Sequence, residues 1–174
     1  MAGHSHWAGI KHKKGIADQK RGILFSKLLQ AISAAAKQEA SPQFNPRLKT
    51  AIEKAKENQV PQDKIENAVK PAAEAANNLE ELIIEAYGPE GTAILIEAIT
   101  DNKNRTISEI RKILNDYDAK WAEAGSVRWA FENKDGDWQA KFKQEISNKA
   151  KEKIQNLISE LEESGEVQKA HTNL

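Results

Sequence analysis

The 174-residue sequence has no cysteine, one methionine and five prolines, and only 6% of its residues are aromatic. The absence of cysteine excludes disulfides, thiolate metal sites and cysteine nucleophiles, and it is typical of a reducing compartment. No apolar run approaches the roughly 20 residues that span a bilayer, and the N-terminus lacks the apolar core of a secretion signal. An acid-poor N-terminus also occurs in organelle transit peptides, but its Lys, His and Gly spacing gives no continuous amphipathic helix. We therefore expect a cytoplasmic protein with no membrane partner.

The sequence also has no net charge, because 26 basic residues balance 26 acidic ones. The balance conceals an asymmetry: Met1–Pro71 carries 13 Lys and Arg against 6 Asp and Glu, or +7, whereas the remainder carries 13 against 20, or −7. Attraction to phosphate fades within roughly 10 Å at moderate salt, so the local charge matters more than the total. The basic half therefore predicts contact with nucleic acid.

The first half of the chain predicts an arm followed by helices. Met1–Gly15 reads MAGHSHWAGIKHKKG and has neither a helical nor an alternating apolar pattern, which predicts an extended or irregular arm. After Ile16, apolar residues recur every three or four positions to about Ala40, the pattern of a long amphipathic helix. Two shorter stripes follow, separated by proline-containing breaks. We expect a three-helix domain within residues 1–77.

The second half predicts a sheet covered by helices. The polar, acidic stretch Pro71–Glu81 reads as a linker, with the domain boundary near Asn78. Two apolar runs flank Gly88-Pro89-Glu90-Gly91 as in a hairpin, and capping-box spacing places Thr106 at the start of a helix. The predicted elements are strands at 81–87 and 92–100, a helix from 106 to about 117, strands at 126–132 and 138–142, a helix at 146–161 and an edge strand at 166–172. The expected class is α+β, an N-terminal three-helix domain followed by a two-layer α+β (ferredoxin-like) domain at 78–174.

The strongest chemical signal is a basic arm over the first 27 residues, where Asp18 is the single acid. Mobile ammonium groups suit a phosphodiester backbone, and a tryptophan can stack on an unpaired base. Two of the lysines are seven residues apart and share a helix face. The alternative is a solvated tail whose tryptophan folds back onto the helices. The candidate residues of the arm are His4, His6, Trp7, Lys11, His12, Lys13, Lys14, Lys20, Arg21 and Lys27.

Two arginines outside the arm are further candidates. Arg47, on the second predicted helix, can widen the basic surface, although such residues often form only a solvated helix face. Arg105 stands beside a helix N-terminus, where a guanidinium can bind phosphate or pair with Asp101.

No pattern for catalysis or metal binding is complete. The three N-terminal histidines lack the fourth ligand of a structural zinc site. The carboxylate pairs Glu80-Glu81 and Glu162-Glu163 have no neighbouring histidine, and Gly9–Gly15 lacks the Lys-Ser/Thr ending of a phosphate loop. We therefore expect no enzyme activity, metal, cofactor or small-molecule substrate.

Several motifs in order resemble the YebC/PmpR family. They are AGHSHWAGIKHKKG, DQKRGILFSKL, NPRL with AIEKAKENQVPQDKIENA, YGPEG, TDNKNRT and GSVRWAFE. The resemblance implies a helical first domain and an α/β domain into which a third is inserted. It also implies a non-enzymatic function, since the family includes probable DNA-binding transcriptional regulators and a mitochondrial activator of cytochrome oxidase translation.

The sequence departs from the family pattern after Phe131. Residues 133–147 lead almost directly to the last helix, so the inserted third domain is expected to be absent near 133–147. Residues 118–123 replace the expected glycine-rich turn, and His6 stands where the family often has Lys. The resemblance favours a translation factor that binds ribosomal RNA, with the ribosome as a possible partner. A transcriptional regulator that binds promoter DNA is the alternative.

Overall fold

The computed structural model describes residues 3–70 and 78–174, with side chains from Lys13 onward. Three helices come first, and a four-stranded sheet with two helices and a separate hairpin follows. Within these ranges no helix is both long and apolar enough to cross a membrane. The elements are α1 (Gly3–Ala36), α2 (Pro46–Glu57), α3 (Gln62–Val69), β1 (Glu80–Tyr87), β2 (Ala93–Thr100), α4 (Lys103–Asp116), β3 (Lys120–Ala122), β4 (Phe131–Lys134), β5 (Asp137–Ala140), α5 (Asn148–Glu163) and β6 (Val167–Thr172).

The predicted irregular arm is instead the first part of helix α1, which begins at Gly3. A single helix of 34 residues is about 50 Å long at 1.5 Å per residue. Each glycine in α1 destabilises the helix by about 1 kcal/mol relative to alanine. Proline is much more destabilising, and Gly3–Ala36 contains none. Once the buried C-terminal part of α1 has formed, each added residue gains a hydrogen bond without a new nucleation cost. The helix therefore extends through a sequence that has no amphipathic pattern of its own.

The three predicted helices pack around one apolar cluster. Ile32 of α1, Leu48 of α2 and Ile65 of α3 are fully buried in it. Asn45 forms the N-cap of α2, as predicted: its Oδ1 accepts from the Leu48 amide at 3.0 Å. Its amide group donates to the carbonyls of Ala35 and Glu39 at 2.9 and 2.8 Å. One buried side chain thus joins the end of α1 to the start of α2.

We expect Asn45→Ala to lower the free energy of unfolding by about 2 kcal/mol. The substitution removes an N-cap and leaves two carbonyls without their donor. Urea denaturation followed by circular dichroism measures the loss. Asn104→Ala, at an exposed position in the first turn of α4, is the matched control. Equal stability of the two variants would contradict the role of Asn45.

The second unit is a two-layer α+β structure, as predicted. Its sheet has the order β3-β1-β2-β6, and every neighbouring pair is antiparallel. Like the ferredoxin-like arrangement, it has four antiparallel strands and two helices. Here the two central strands are joined directly as the β1–β2 hairpin, and the helices come before the edge strands β3 and β6.

The two faces of this sheet are covered differently. Helices α4 and α5 cover one face through a large apolar cluster that includes Ile110, Leu114 and Leu157. On the opposite face, Ala93 and Leu95 of β2 contact Val127 and Phe131. Strand β2 is therefore buried on both sides, which explains its nearly continuous apolar sequence.

Two local predictions in the second unit are wrong, and one strand was missed. Helix α4 is capped by Asn102, whose Oδ1 accepts from the Arg105 amide at 3.1 Å, while Thr106 is buried inside the helix. Residues 126–132 do not form one strand, because Arg128–Ala130 is a 3₁₀ turn and β4 begins at Phe131. The short edge strand β3 was not predicted, since its three residues are too few for a pattern. The turn at Asp135-Gly136 is confirmed, and both residues have positive φ, as in a type I′ turn.

Candidate nucleic-acid interface

The exposed basic surface on α1 is formed by Lys13, Lys14, Lys20 and Arg21, and we call these four residues the α1 basic surface. All four side chains are exposed. Burial in α1 begins only in the following turns, where the helix meets α2, α3 and α5. Over residues 13–26 the single acid is Asp18, so this part of the helix carries a net charge of +3. Cations on an exposed helix can reach successive phosphates of a backbone.

The basic side chains follow two lines along α1. Residues seven apart are two turns apart and point in nearly the same direction. Lys13, Lys20 and Lys27 form one line, and Lys14 and Arg21 form the other. The Arg21 guanidinium lies 5.1 Å from the centre of the Phe25 ring, a cation–π contact that orients it.

Lys27 does not belong to the exposed surface, which corrects one predicted site residue. It is only 8% exposed, and its ammonium donates to the main-chain carbonyl of Glu162 near the end of α5. Burial lowers the pKa of Lys27, although the nearby Glu162 carboxylate acts in the opposite direction. Its role is to join α1 to α5, so we remove it from the candidate nucleic-acid contacts.

Lys20 is exposed like Lys13 and Lys14, but like Lys27 it contacts the end of α5. Its ammonium lies 3.2 Å from the Glu163 carboxylate, and both side chains are largely exposed. Exposed ion pairs of this kind contribute at most about 1 kcal/mol. Lys20 can therefore exchange this carboxylate for a phosphate at little cost.

The two arginines outside the arm are both in ion pairs with protein carboxylates. Arg47 lies 2.7 Å from Glu81 and so links α2 to β1. Arg105 lies 2.8 Å from Asp101 and also pairs with Glu166. The alternative in which Arg105 pairs with Asp101 is thus the one in the structure. Both guanidiniums are about half exposed, and each is paired with a protein carboxylate.

Five predicted site residues lie outside the described side chains. They are His4, His6, Trp7, Lys11 and His12. Their proposed contacts stay predictions. Among the described residues, no group of three or more His, Cys, Asp or Glu side chains is placed to hold a metal ion.

Sequence reasoning missed a second surface, around the loop before β4. Alternation along the strand predicted at 126–132 places Val127, Trp129 and Phe131 on one face. The 3₁₀ turn at Arg128–Ala130 rotates Trp129 away from the other two, so Val127 and Phe131 are buried while Trp129 is 63% exposed. The indole Nε1 donates to the Ser126 carbonyl at 2.8 Å. The sequence signal for this exposed ring was weak. It consists of one aromatic residue between arginine and alanine, and the alternating pattern assigns that residue to a strand.

A buried carboxylate shapes that loop. Glu85 of β1 is 5% exposed and accepts hydrogen bonds from the amides of Gly125, Val127 and Arg128 at 2.7, 2.7 and 3.0 Å. Gly125 has φ +89°, a conformation that glycine adopts without strain and that lets the amides converge. Burial alone would raise the pKa of Glu85, but the three amide donors and the charge of Arg128 outweigh it, and the pKa is lowered.

Comparison with known proteins identifies the family. Residues 5–75 match the TACO1/YebC protein N-terminal domain, and residues 79–136 match the TACO1/YebC second and third domain. A probable transcriptional regulatory protein of Trichlorobacter lovleyi is 48% identical over 137 residues, which cover 77% of this chain and 56% of that protein. A protein of the same description from Natranaerobius thermophilus is 51% identical over 137 residues, covering 77% and 55%.

A solved structure shares the fold. The crystal structure of the conserved hypothetical protein Aq1575 from Aquifex aeolicus matches with a TM-score of 0.80 at 28% identity, covering 88% of this chain and 90% of that one. The chain spans about half the length of the curated relatives that it matches. Two consecutive domain matches, close relatives and a common fold agree, and the chain belongs to the TACO1/YebC family.

Proposed function

We propose that this protein is a non-enzymatic, nucleic-acid-binding regulator of gene expression, which holds a phosphate backbone with the α1 basic surface. The observation that carries the proposal is the exposure of Lys13, Lys14, Lys20 and Arg21 on a helix whose residues 13–26 are net positive. The names of the relatives, probable transcriptional regulatory proteins, support the same class.

The charge of the remainder of the chain favours α1 as the first point of contact. Its net charge is −7 beyond Pro71, so phosphate is repelled from much of the second unit. An uneven distribution of charge between two parts of a protein orients it during encounter with a polyanion. We infer that the helical domain approaches the nucleic acid first.

Ribosomal RNA within the ribosome is the target that we propose, on the resemblance to translation factors of the family. Promoter DNA is the second candidate, and one observation favours it more than the sequence did. Since α1 is helical where an irregular arm was expected, it has a form that fits the major groove of duplex DNA. The relatives' description as transcriptional regulators favours the same candidate.

Crosslinking in cells, followed by sequencing of the bound nucleic acid, separates the two targets. We expect reads concentrated on ribosomal RNA, and loss of those reads when Lys13, Lys14 and Arg21 are replaced by alanine. Enrichment of promoter DNA without ribosomal RNA would contradict the translation proposal and support the transcriptional one. A read distribution like that of an unrelated tagged protein would contradict both.

A further inference from the structure

The structure places three exposed aromatic rings side by side on the second unit, and we propose that they form a stacking site for unpaired nucleic-acid bases. We call Tyr87, Trp129 and Phe142 the aromatic patch. The inference rests on the proposed function, because it adds a second contact with the same class of ligand. It uses residues of the second unit, far along the chain from α1.

The rings are exposed and close together. Trp129 is 63%, Phe142 52% and Tyr87 41% exposed. The ring centres of Trp129 and Phe142 are 5.7 Å apart with 45° between their planes. The Tyr87 hydroxyl and the Trp129 indole both donate to the Ser126 carbonyl, at 3.0 and 2.8 Å, which keeps the tyrosine beside the tryptophan. The polar atoms of Tyr87 and Trp129 are thus satisfied internally, and roughly half of each of the three residues faces solvent.

Main-chain contacts hold the patch in place. The three hydrogen bonds to Glu85 fix the loop from Gly125 to Arg128, directly before Trp129. The Ala130 carbonyl accepts from the amides of Lys141 and Phe142 at 2.8 and 3.3 Å, which brings Phe142 next to the 3₁₀ turn. Because the rings are already positioned, a base can stack on them with little further loss of conformational entropy.

Lysines lie beside two of the three rings. The Lys141 ammonium lies 5.4 Å from the centre of the Phe142 ring, and Lys120 is the register partner of Tyr87 across β1 and β3. Lys143 is the exposed neighbour of Phe142 in the chain, whereas the Arg128 guanidinium lies 4.9 Å from the centre of the Trp138 ring.

Two acidic side chains of the β4–β5 hairpin form ion pairs with lysines. Glu132 pairs with Lys134 at 2.8 Å, and Asp137, beside the turn of the hairpin, pairs with Lys169 at 2.6 Å. No acidic residue occurs in the segments 128–131 and 140–143, which meet at its open end.

This combination favours nucleic acid over a protein partner. Lysine is depleted in the centres of protein–protein interfaces, whereas Lys141 lies against the Phe142 ring and Lys120 is the register partner of Tyr87. Base stacking on aromatic side chains with cations along the backbone is the general mode of single-strand binding. A paired base offers no free face to such rings, so unpaired bases are the specific ligand.

The test compares a labelled 12-nucleotide single-stranded RNA of mixed sequence with its duplex form, measured by fluorescence anisotropy on the full chain. We expect Trp129→Ala and Phe142→Ala each to weaken single-strand binding about fivefold or more. Duplex affinity and the salt dependence of binding should stay unchanged, because no cation is removed. Trp129→Phe retains a ring and should keep most of the affinity.

Phe44→Ala is the matched control, since Phe44 is 78% exposed in the loop before α2. Thermal melting of each variant checks its fold, and Phe142→Ala keeps the test valid if Trp129→Ala is destabilised. Unchanged single-strand affinity in both variants would overturn the inference, and so would an equal loss for duplex. A change from dimer to monomer with unchanged RNA affinity would show a protein interface instead, which also overturns it.

The outcome for the α1 basic surface separates this inference from the proposed function. If the α1 variant loses binding and the ring variants do not, only the aromatic patch is wrong. If the ring variants lose binding and the α1 variant does not, only the assignment to α1 is wrong. If the unaltered protein binds neither RNA at low salt, both proposals fail.

Discussion

Replacing Lys13, Lys14 and Arg21 together by alanine is expected to weaken nucleic-acid binding roughly tenfold to a few hundredfold at 0.1 M salt. Each cation that neutralises a phosphate releases condensed counterions, so three lost contacts also reduce the slope of log affinity against log salt by up to about three. Lys20 is left in place because its ion pair with Glu163 makes its contribution ambiguous. Anisotropy titrations at several salt concentrations measure both quantities.

The control removes the same charge elsewhere. Lys112, Lys149 and Lys151 are exposed on α4 and α5, and their joint replacement by alanine should leave the salt slope nearly unchanged. Lys27→Met is a second control, since its ammonium is bonded to the Glu162 carbonyl rather than facing solvent. Equal effects of the α1 and control triple variants would mean that binding follows net charge and not the α1 basic surface.

Glu85→Gln is expected to give the largest loss of stability, about 3 kcal/mol. A neutral amide cannot replace the charged acceptor of three amide hydrogen bonds, and the loop amides around Val127 would be left poorly satisfied in the interior. For a chain of this size the loss corresponds to a melting temperature roughly 6 to 12 °C lower. Calorimetry measures it. Glu109→Gln, an isosteric change at an exposed position of α4, should melt like the unaltered protein.

The Glu85 carboxylate also makes the stability of the folded protein depend on pH. The pKa of Glu85 is lower in the folded protein than its ordinary value of 4.5, so the folded state favours the ionised form. Its stabilising contribution is complete above pH 4.5 and is lost as the pH falls through the folded pKa. The stability difference between the protein and Glu85→Gln should therefore shrink below pH 4.5. A constant difference down to pH 3 would contradict this.

Other carboxylates also make the protein less stable in acid. The contribution of Glu85 is therefore measured as the difference in stability between the unaltered protein and Glu85→Gln. The pKa values of the other carboxylates are also lowered, by hydrogen bonds from Ser147 to Glu90, from Lys153 to Asp118 and from Lys169 to Asp137.

The repeating patterns of the sequence predicted most of the fold. The apolar stripes of α2, α4 and α5 and the alternation around the β1–β2 hairpin each reflect one buried face, which is a local property. The α+β class and the number of helices followed from them. Where no such pattern existed, prediction failed: helix α1 extends to Gly3 because its buried part nucleates it.

The sequence predicted the positive charge of the candidate site but not the protein groups that its cations contact. Composition placed cations in the first 27 residues, and the structure shows four of them exposed on α1. That Lys27 is buried against α5 depends on a contact between residues 135 positions apart in the sequence. The ion pairs of Arg47 with Glu81 and of Arg105 with Glu166 are long-range in the same way.

The sequence by itself therefore determined where charge and apolar surface lie along this chain, because helix and strand periods and local charge are properties of neighbouring residues. Only the tertiary structure decided which of those cations face solvent. It alone also showed that Glu85, forty residues away in sequence, turns the Gly125–Arg128 loop so that Trp129 projects beside Tyr87 and Phe142. The physical reason is that a buried carboxylate must find its hydrogen-bond donors in space, and no periodic pattern records which segment supplies them.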